Sequence, residues 1–338
     1  MAHALSIRKN GTAEMAYVGE TPWHDLGSPV TKGASIGVWA KEAGLDWSAK
    51  EATVLYAPGN EEENIRAAGY KMLYRSDTGG QLAIVGEAYK VVQPKDILEF
   101  FRDMTEAGGW WIHTAGVLHG GRKLWVMATN GEVNSVSKNE DGIERHMLLA
   151  TSLDGSMKTL GKETTVRVVC ANTLSMALKD ARGKRYAETS HRTEFDPQLM
   201  RKALGIHEDS FKKFMTAARE LADTPVELSE ARLLLRTIFK EDTKPMAPGL
   251  AWLGDLSDFG AEEEPKDSRQ LARVLELFDG EGMGSDFATA NGTRWGLLNA
   301  VTQYIDHEQG RSQDTRLATA WFGRGDAVKQ DAFDVLMA

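Results

Sequence analysis

The segment from Thr151 to Leu178, TSLDGSMKTLGKETTVRVVCANTLSMAL, constrains the fold more than any other part of the chain. It has the pattern of a strand, a turn at Asp154-Gly155-Ser156 and a second strand that runs to Cys170. Asn172-Thr173 follows, and polar side chains at such a corner satisfy the free N–H groups of a helix's first turn. We therefore predict a β-hairpin that leads abruptly into a helix.

Further strand and helix signals precede this hairpin. A short helix is predicted at 36–43, and a second helix is predicted to begin at Pro94 and to end at Gly108-Gly109. Strands are predicted at 54–56, 71–75, 82–85, 110–119, 122–129, 145–152 and 164–170. The runs 110–119 and 122–129 flank Gly120-Gly121, which is a strong hairpin signal. The order is therefore a helix, four antiparallel strands and another helix.

The pattern changes after residue 197, where apolar residues recur at helical spacing. Helices are predicted at 199–221, 229–239, 268–278, 293–307 and 326–337. We predict an α+β fold, in which an antiparallel sheet with a hairpin meander packs on helices and a mostly helical C-terminal half follows. Residues 1–197 would form the sheet domain with the basic hairpin, and residues 198–338 the helical region with an acidic loop at about 241–267. Whether these halves are separate domains stays open.

Composition narrows the class of protein. Hydrophobic residues make up 42% and charged residues 26% of the 338 residues, as in soluble globular proteins. Cys170 is the single cysteine, which excludes an internal disulfide and fits a reducing cytoplasm. The N-terminal residues lack the apolar run of a signal peptide, and no stretch approaches the roughly 20 apolar residues that cross a bilayer. We expect a cytoplasmic protein without a membrane partner.

Charge is distributed unevenly along the chain. Residues 145–192 contain nine Lys or Arg and four Asp or Glu, whereas residues 241–287 contain four and twelve. A local basic segment can hold phosphates by Coulomb attraction and counterion release even though the net charge is −9. The alternative is that loops and helix ends simply collect lysines, and the charge count does not decide between the two.

Alternation along the second hairpin strand predicts which side chains are accessible. Val166, Val168 and Cys170 share one face, the predicted core, so Arg167 would point to the opposite face. Single-stranded nucleic acid suits basic residues interleaved with aromatic rings, on which bases stack for roughly 1–3 kcal/mol each. The candidate phosphate contacts are Arg145, Lys158, Lys162, Arg167, Lys184, Arg185 and Arg192, and Trp111 or Trp125 could stack bases. The alternative is that the tryptophans belong to the core.

No motif identifies catalytic residues, a metal site or a cofactor. The chain has eight histidines, but none shows ligand spacing such as HExxH. The polar side chains of Asn299, Thr302 and Asp306 share one face of a predicted helix with Trp295. They could line a site, although we favour a polar network that bonds this helix to the N-terminal half.

Several segments of the chain resemble a known family. They are TPWHDLG (21–27), LAIVGEAYKVVQP (82–94), GGRKLWVMA (120–128), SLDGSMKT with RVVCANTLSMAL, and RWGLLNAVTQYIDH (294–307). These segments resemble the phage/plasmid-like family, whose domain of unknown function is numbered nine-three-two. The resemblance implies a gene carried by phages, prophages or plasmids and a protein of the bacterial host cytoplasm. It implies no catalytic residues.

The order of strands and helices is also similar to the core of single-strand annealing recombinases of phages and eukaryotes. That resemblance implies rings or helical filaments that hold single-stranded DNA in a positively charged groove, and it rests on fold-level analogy. We expect a single-stranded DNA-binding protein that forms homo-oligomers and anneals strands in recombination. Two alternatives stay open: a metal-dependent nucleic-acid hydrolase that uses His191, Asp306 and His307, and a counter-defence protein that binds a host protein through residues 241–287.

Overall fold

The computed structural model describes residues 5–19, 26–59, 64–137, 140–167, 173–175, 187–204, 208–241, 267–309, 319–321 and 323–338. The strands are β1 (Met15–Tyr17), β2 (Ser28–Pro29), β3 (Ala49–Tyr56), β4 (Ile65–Arg75), β5 (Gln81–Gly86), β6 (Trp111–Leu118), β7 (Lys123–Ser137), β8 (Glu140–Ser152), β9 (Thr159–Arg167), β10 (Thr173–Ser175) and β11 (Ala187–Thr189). The helices are α1 (Ile36–Glu42), α2 (Pro94–Ala107), α3 (Pro197–Leu204), α4 (Glu208–Asp223), α5 (Leu228–Phe239), α6 (Arg269–Glu276), α7 (Arg294–Gln303) and α8 (Arg324–Met337). This order confirms the predicted α+β fold with a mostly helical C-terminal half.

The larger sheet is built around a meander of long antiparallel strands. Its strand order is β10-β9-β8-β7-β6-β1-β2, and β11 also pairs with β9. The turn between β6 and β7 contains Gly120 and Gly121, whose φ angles are 71° and 108°. Glycine adopts this left-handed conformation without the steric penalty of a side chain. The hairpin predicted around these two glycines is therefore confirmed.

The hairpin formed by β8 and β9 is also confirmed, but the helix predicted to follow it is wrong at 173–175. These residues form strand β10, which pairs antiparallel with β9 and places Thr173 opposite Val166. The edge of β9 presents backbone N–H and C=O groups that need partners, and β10 supplies them. Residues 168–172 and 176–186, which include Cys170, lie outside the described part of the chain.

Both faces of the larger sheet are covered, whereas alternation predicted a single core face. One face packs on α2, where Ile97 and Phe101 are fully buried. The opposite face carries Trp125, which packs with Met15 near the N-terminus and with Trp321 near the C-terminus. Because each face is buried, side chains that alternate along β8 and β9 point into protein on both sides.

The predicted helices are confirmed at 36–43, 94–107, 229–239 and 326–337, within about two residues. The helical run predicted over 199–221 corresponds to two helices, α3 and α4. Two predicted helices end in π-helical turns, at Leu277–Glu281 after α6 and at Tyr304–Glu308 after α7. In the part of the chain that the structure describes, no helix is both long and apolar enough to cross a membrane.

The helical half has its own apolar core and also touches the sheet. Phe211 of α4, Leu235 of α5 and Leu297 of α7 belong to one cluster of buried residues. Val136 of β7 and Ile143 of β8 are part of the same cluster, so the two halves share apolar contacts. The division into domains at residue 197 stays a prediction.

Strands β3, β4 and β5 form a smaller antiparallel sheet. Its inner side joins the main core through Leu73 and Leu82, which are fully buried. Arg75 of β4 donates two hydrogen bonds, at 2.8 and 2.7 Å, to the carboxylate of Glu14. The end of β5 then leads into the loop before α2, and this loop forms one wall of the site described next.

Candidate functional site

Three of the predicted phosphate contacts lie inside the protein. Arg145, Lys162 and Arg167 have only 3, 4 and 3% of their surface exposed. A buried cation is stable only when carboxylates or other hydrogen-bond acceptors replace its hydration water. Each of the three has such partners within the chain. Their positions therefore correct the prediction that they contact DNA, since no phosphate can reach them without displacing the core.

The partners of Arg145 and Lys162 show their structural role. Arg145 donates to a Glu163 oxygen over 2.6 Å. Lys162 donates to Asp326 over 2.8 Å and to the carbonyl oxygen of Trp321 over 2.7 Å. Burial lowers the pKa of Lys162 from its ordinary value, although the Asp326 charge opposes that change. Lys162 therefore ties the sheet to the start of α8 instead of facing solvent.

Arg167 joins the sheet to α7. It donates to both carboxylate oxygens of Asp141, at 2.5 and 2.9 Å, and to two backbone carbonyls of the loop before α7, at 3.1 Å. The indole N–H of Trp295 donates to the same carboxylate over 2.7 Å. Asp306, further along that face of the helix, pairs with Lys329 over 2.7 Å. Trp295 thus links this helix to β8 in the N-terminal half, whereas Asp306 links the end of the helix to α8 in the C-terminal half.

The two predicted stacking residues differ in accessibility. Trp125 is fully buried, and its ring meets that of Trp321 edge-on with the centroids 5.4 Å apart. A base cannot reach it, which corrects that prediction. Trp111 is partly exposed, and the ammonium of Lys32 lies 3.5 Å from its ring centroid. The predicted contacts Lys184 and Arg185 lie outside the described residues.

The remaining predicted cations, Lys158 and Arg192, are exposed and meet at a cleft of about 520 Å³. Three separate segments line this cleft. They are the end of β5 with the following loop (86–89), the turn between β8 and β9 (155–158), and the loop after β11 (190–192). Because these segments are distant in sequence, the fold alone brings the two cations together.

The aromatic rings of Tyr89 and His191 stack on each other in the cleft. The rings stack with centroids 4.5 Å apart and planes at 13°. The Tyr89 hydroxyl donates to the Ser152 carbonyl over 3.0 Å, and burial raises the pKa of Tyr89 to about 12, so the phenol stays a neutral donor. His191 Nδ1 lies 3.0 Å from the Lys90 carbonyl oxygen, and Nε2 lies 3.2 Å from that of Met157. A neutral imidazole donates to only one of these oxygens, whereas an imidazolium donates to both.

The turn that faces these rings is fixed by local hydrogen bonds. Gly155 has a φ of 72°, and the Ser156 N–H donates to Asp154 Oδ1 over 2.9 Å. Burial acts to raise the pKa of Asp154, but hydrogen bonds from Ser156 and the nearby Lys123 charge hold it below its ordinary value. The carboxylate therefore stays ionised and keeps accepting from the turn. Gly155 and Ser156 are exposed at the rim of the cleft.

Charges at the rim are paired only loosely. Lys158 contacts Glu188 over 2.7 Å, and Lys90 contacts Glu194 over 3.3 Å. Lys158 is 54% exposed and Glu188 19%, whereas both members of the Lys90 pair are largely exposed. Ion pairs at the surface contribute about 0–1 kcal/mol, so an incoming anion can compete with either glutamate for its lysine. Within the described ranges, the guanidinium of Arg192 makes no hydrogen bond or ion pair. The two cations that line the cleft are therefore Lys158, in a surface ion pair, and Arg192, whose guanidinium has no partner among the described residues.

Among the described residues, no group of three or more His, Cys, Asp or Glu side chains is placed so that it could hold a metal ion. His191 faces two carbonyl oxygens, and Asp306 pairs with a lysine. The acidic segment of the protein-binding alternative falls largely outside the described residues, which omit 242–266.

Sequence reasoning predicted the turn at Asp154-Gly155-Ser156 and the two cations of the cleft, but it missed Tyr89. A signal was present, because two segments that carry the family resemblance, 82–94 and 152–159, supply two of the three walls. The periodicity of strands gave no indication that these segments meet.

Comparison with known proteins gives the family and nothing finer. No curated protein and no solved structure matches the chain. A family model described as a domain of unknown function (DUF932) matches residues 81–321. This region contains every segment that lines the cleft. Because it spans well over half of the 338 residues, the chain belongs to the DUF932 family of domains of unknown function.

Proposed function

We propose that this chain binds single-stranded DNA and that Arg192 and Lys158 contact its phosphates at the cleft. The proposal rests on one observation: Lys158 and Arg192 are exposed to solvent at the cleft. Of the predicted contacts that the structure describes, the other cations lie in buried ion pairs. The basic character of residues 145–192 reaches solvent, in the described part of that segment, where the cleft lies.

The dimensions of the cleft favour an unpaired strand. A volume of about 520 Å³ falls in the range of small-molecule sites and fits a nucleotide, whereas a duplex cannot enter. Tyr89 is partly exposed and lines the cleft, so a base that enters meets an aromatic ring close to the cations. Aromatic rings beside cations form the usual site for single strands, because every base has a π face and every linkage a negative charge.

Assembly and annealing are further parts of the proposal. A homo-oligomer, arranged as a ring or a filament, would align many such clefts along one strand and raise the effective concentration of each. Annealing requires that bound bases keep their pairing edges accessible. Sedimentation with and without DNA measures assembly, and fluorescence transfer between complementary labelled strands measures annealing.

Binding is tested by fluorescence anisotropy with a labelled single-stranded oligonucleotide at low and moderate salt, with the corresponding duplex as a control. The proposal predicts a salt-dependent preference for the single strand. Lys158→Glu combined with Arg192→Glu should weaken binding and reduce the slope of log K against log salt by at least about 1.4, since each lost phosphate contact removes about 0.7.

A matched variant separates the cleft from general charge. Lys9→Glu combined with Lys213→Glu changes the net charge equally at two exposed lysines that do not line the cleft. This control should bind almost as well as the unmodified chain. Equal losses in the two double variants would argue against the cleft, and no binding by the unmodified chain at low salt would overturn the proposal.

A further inference from the structure

One side of the smaller sheet faces away from the core, and strand register identifies its residues. Residues directly opposite each other in antiparallel strands project to the same side. Tyr74 is opposite Lys50 and Gln81, Met72 is opposite Ala52 and Ile84, and Tyr70 is opposite Gly86. We call this set the outer face. The intervening residues Leu73 and Arg75 are buried, so they define the inner side.

The outer face is apolar and aromatic although it is open to solvent. Tyr70 and Ile84 are each 55% exposed. Large apolar side chains that cluster on a surface usually mark an interaction site, because their hydration is unfavourable. Tyr74 lies on the same side as Tyr70 and four residues along β4, which places the two rings roughly 13 Å apart.

The charged residue in this set is Lys50, whereas Glu51 is opposite the buried Leu73 and so projects to the inner side. A second cation, Arg66, lies beyond a shift in the register of β3 and β4. Arg66 contacts Glu87 over 3.0 Å, and both side chains are more than half exposed. Such a pair is weak and exchanges readily with another anion. The outer face therefore complements a ligand that is negatively charged and carries flat apolar groups.

The outer face borders the cleft directly. Gly86, opposite Tyr70, is itself a lining residue of the cleft. The Glu87 N–H donates to the Gly69 carbonyl over 3.0 Å, which continues the pairing of β4 with the chain that enters the cleft. A ligand that extends out of the cleft past Gly86 reaches Tyr70 first.

We infer that the outer face is a stacking platform for bases of the strand whose phosphates bind at the cleft. The inference rests on the proposed function and adds a second surface to it. Exposed sheet faces that carry aromatic rings bind unpaired bases in several single-strand-binding folds, since stacking needs no particular base sequence. Tyr70 is the primary stacking residue, and Lys50 and Arg66 contact phosphates beside it.

The test compares two tyrosines of the same sheet. Tyr70→Ala removes the central ring of the outer face, whereas Tyr56→Ala removes a ring of similar exposure, 52%, from the end of β3, beyond the register shift that follows Thr53. Anisotropy titrations with a labelled single strand should show about a tenfold loss of affinity for Tyr70→Ala and little change for Tyr56→Ala. The slope of log K against log salt should stay the same in both, because no phosphate contact is lost.

The outcomes separate this inference from the proposed function. If the cleft variant weakens binding but Tyr70→Ala and Tyr56→Ala behave alike, the platform is wrong and the cleft stands. If Tyr70→Ala leaves DNA affinity intact but changes the sedimentation of the protein alone, the outer face binds protein, which also overturns the platform. Absence of single-strand binding by the unmodified chain removes both.

Discussion

Two sets of cations in the basic segment 145–192 differ in their exposure to solvent. Arg145, Lys162 and Arg167 lie on adjacent strands and are buried against carboxylates, whereas Lys158 and Arg192 lie in loops and face solvent. Because the strands are covered on both faces, any cation on them must be paired with a carboxylate or another acceptor of the protein. The loops are not covered, so their cations keep their charge at the surface. Charge counted along a sequence therefore differs from charge presented to a ligand.

The largest loss of stability is expected when one of the buried cations is removed. Arg167→Met leaves the Asp141 carboxylate without its guanidinium in the interior. Breaking a buried pair on one side costs about 3–5 kcal/mol, so the free energy of unfolding in urea should fall by that amount. A loss below about 1 kcal/mol would show that Arg167 is not buried as described.

Buried titratable groups should also make the fold sensitive to acid. Complete burial, together with the nearby His113, lowers the pKa of His146 to about 3 from an ordinary value of 6.5. The unfolded chain takes up a proton near pH 6.5 and the folded protein does not, so the stabilising effect is complete above pH 6.5 and is lost as the pH falls toward 3. Between pH 6.5 and 5 the loss should be about 2 kcal/mol.

His146→Gln provides the comparison for that experiment. The variant lacks the titrating ring, so its unfolding free energy should change less between pH 6.5 and 5 than that of the unmodified chain. Chemical denaturation at each pH measures the difference. Identical pH dependence in the two proteins would mean that His146 does not stay neutral in the folded state.

The exposed turn of the cleft should depend on its glycine. A side chain at Gly155, where φ is +72°, is strained even though space is available, since a Cβ there would lie 3.8 Å from the Tyr89 ring. Gly155→Ala should cost about 1–2 kcal/mol and reduce DNA affinity as the turn shifts. Gly86→Ala is the matched control at the same cleft, because Gly86 has an ordinary φ and its Cβ would meet only a carbonyl at 3.9 Å. Equal thermal unfolding of both variants would contradict the described turn.

The smallest effect on stability is expected at the exposed cations. Lys158→Ala removes a surface ion pair with Glu188, and such pairs contribute at most about 1 kcal/mol. The melting temperature should hardly change, whereas affinity for single-stranded DNA should fall. A large loss of stability would place Lys158 with the structural cations of the strands instead of with the cleft.

Local features of the fold could be predicted from the sequence, and its long-range features could not. Gly120-Gly121 and Asp154-Gly155-Ser156 mark hairpins because turn chemistry depends on neighbouring residues. Lys162, in contrast, is buried against Asp326, which lies 164 residues later in the chain. Likewise, the alternation of side chains along β9 predicted a single core face, because alternation does not show which distant elements cover the opposite face. The cleft was missed for the same reason, since its walls come from three distant segments.

The central claim is that single-stranded DNA binds at the loops of the cleft and not along the strands. Photo-crosslinking tests it most directly, with a bromodeoxyuridine-substituted single strand, protease digestion and mass spectrometry of the linked peptides. We predict crosslinks at Tyr89, His191 or Met157, extending to Tyr70, with loss of the cleft crosslinks in the Lys158→Glu and Arg192→Glu double variant. Crosslinks that fall at Trp111 and leave the cleft unmodified, or equal crosslinking of a duplex, would contradict the claim.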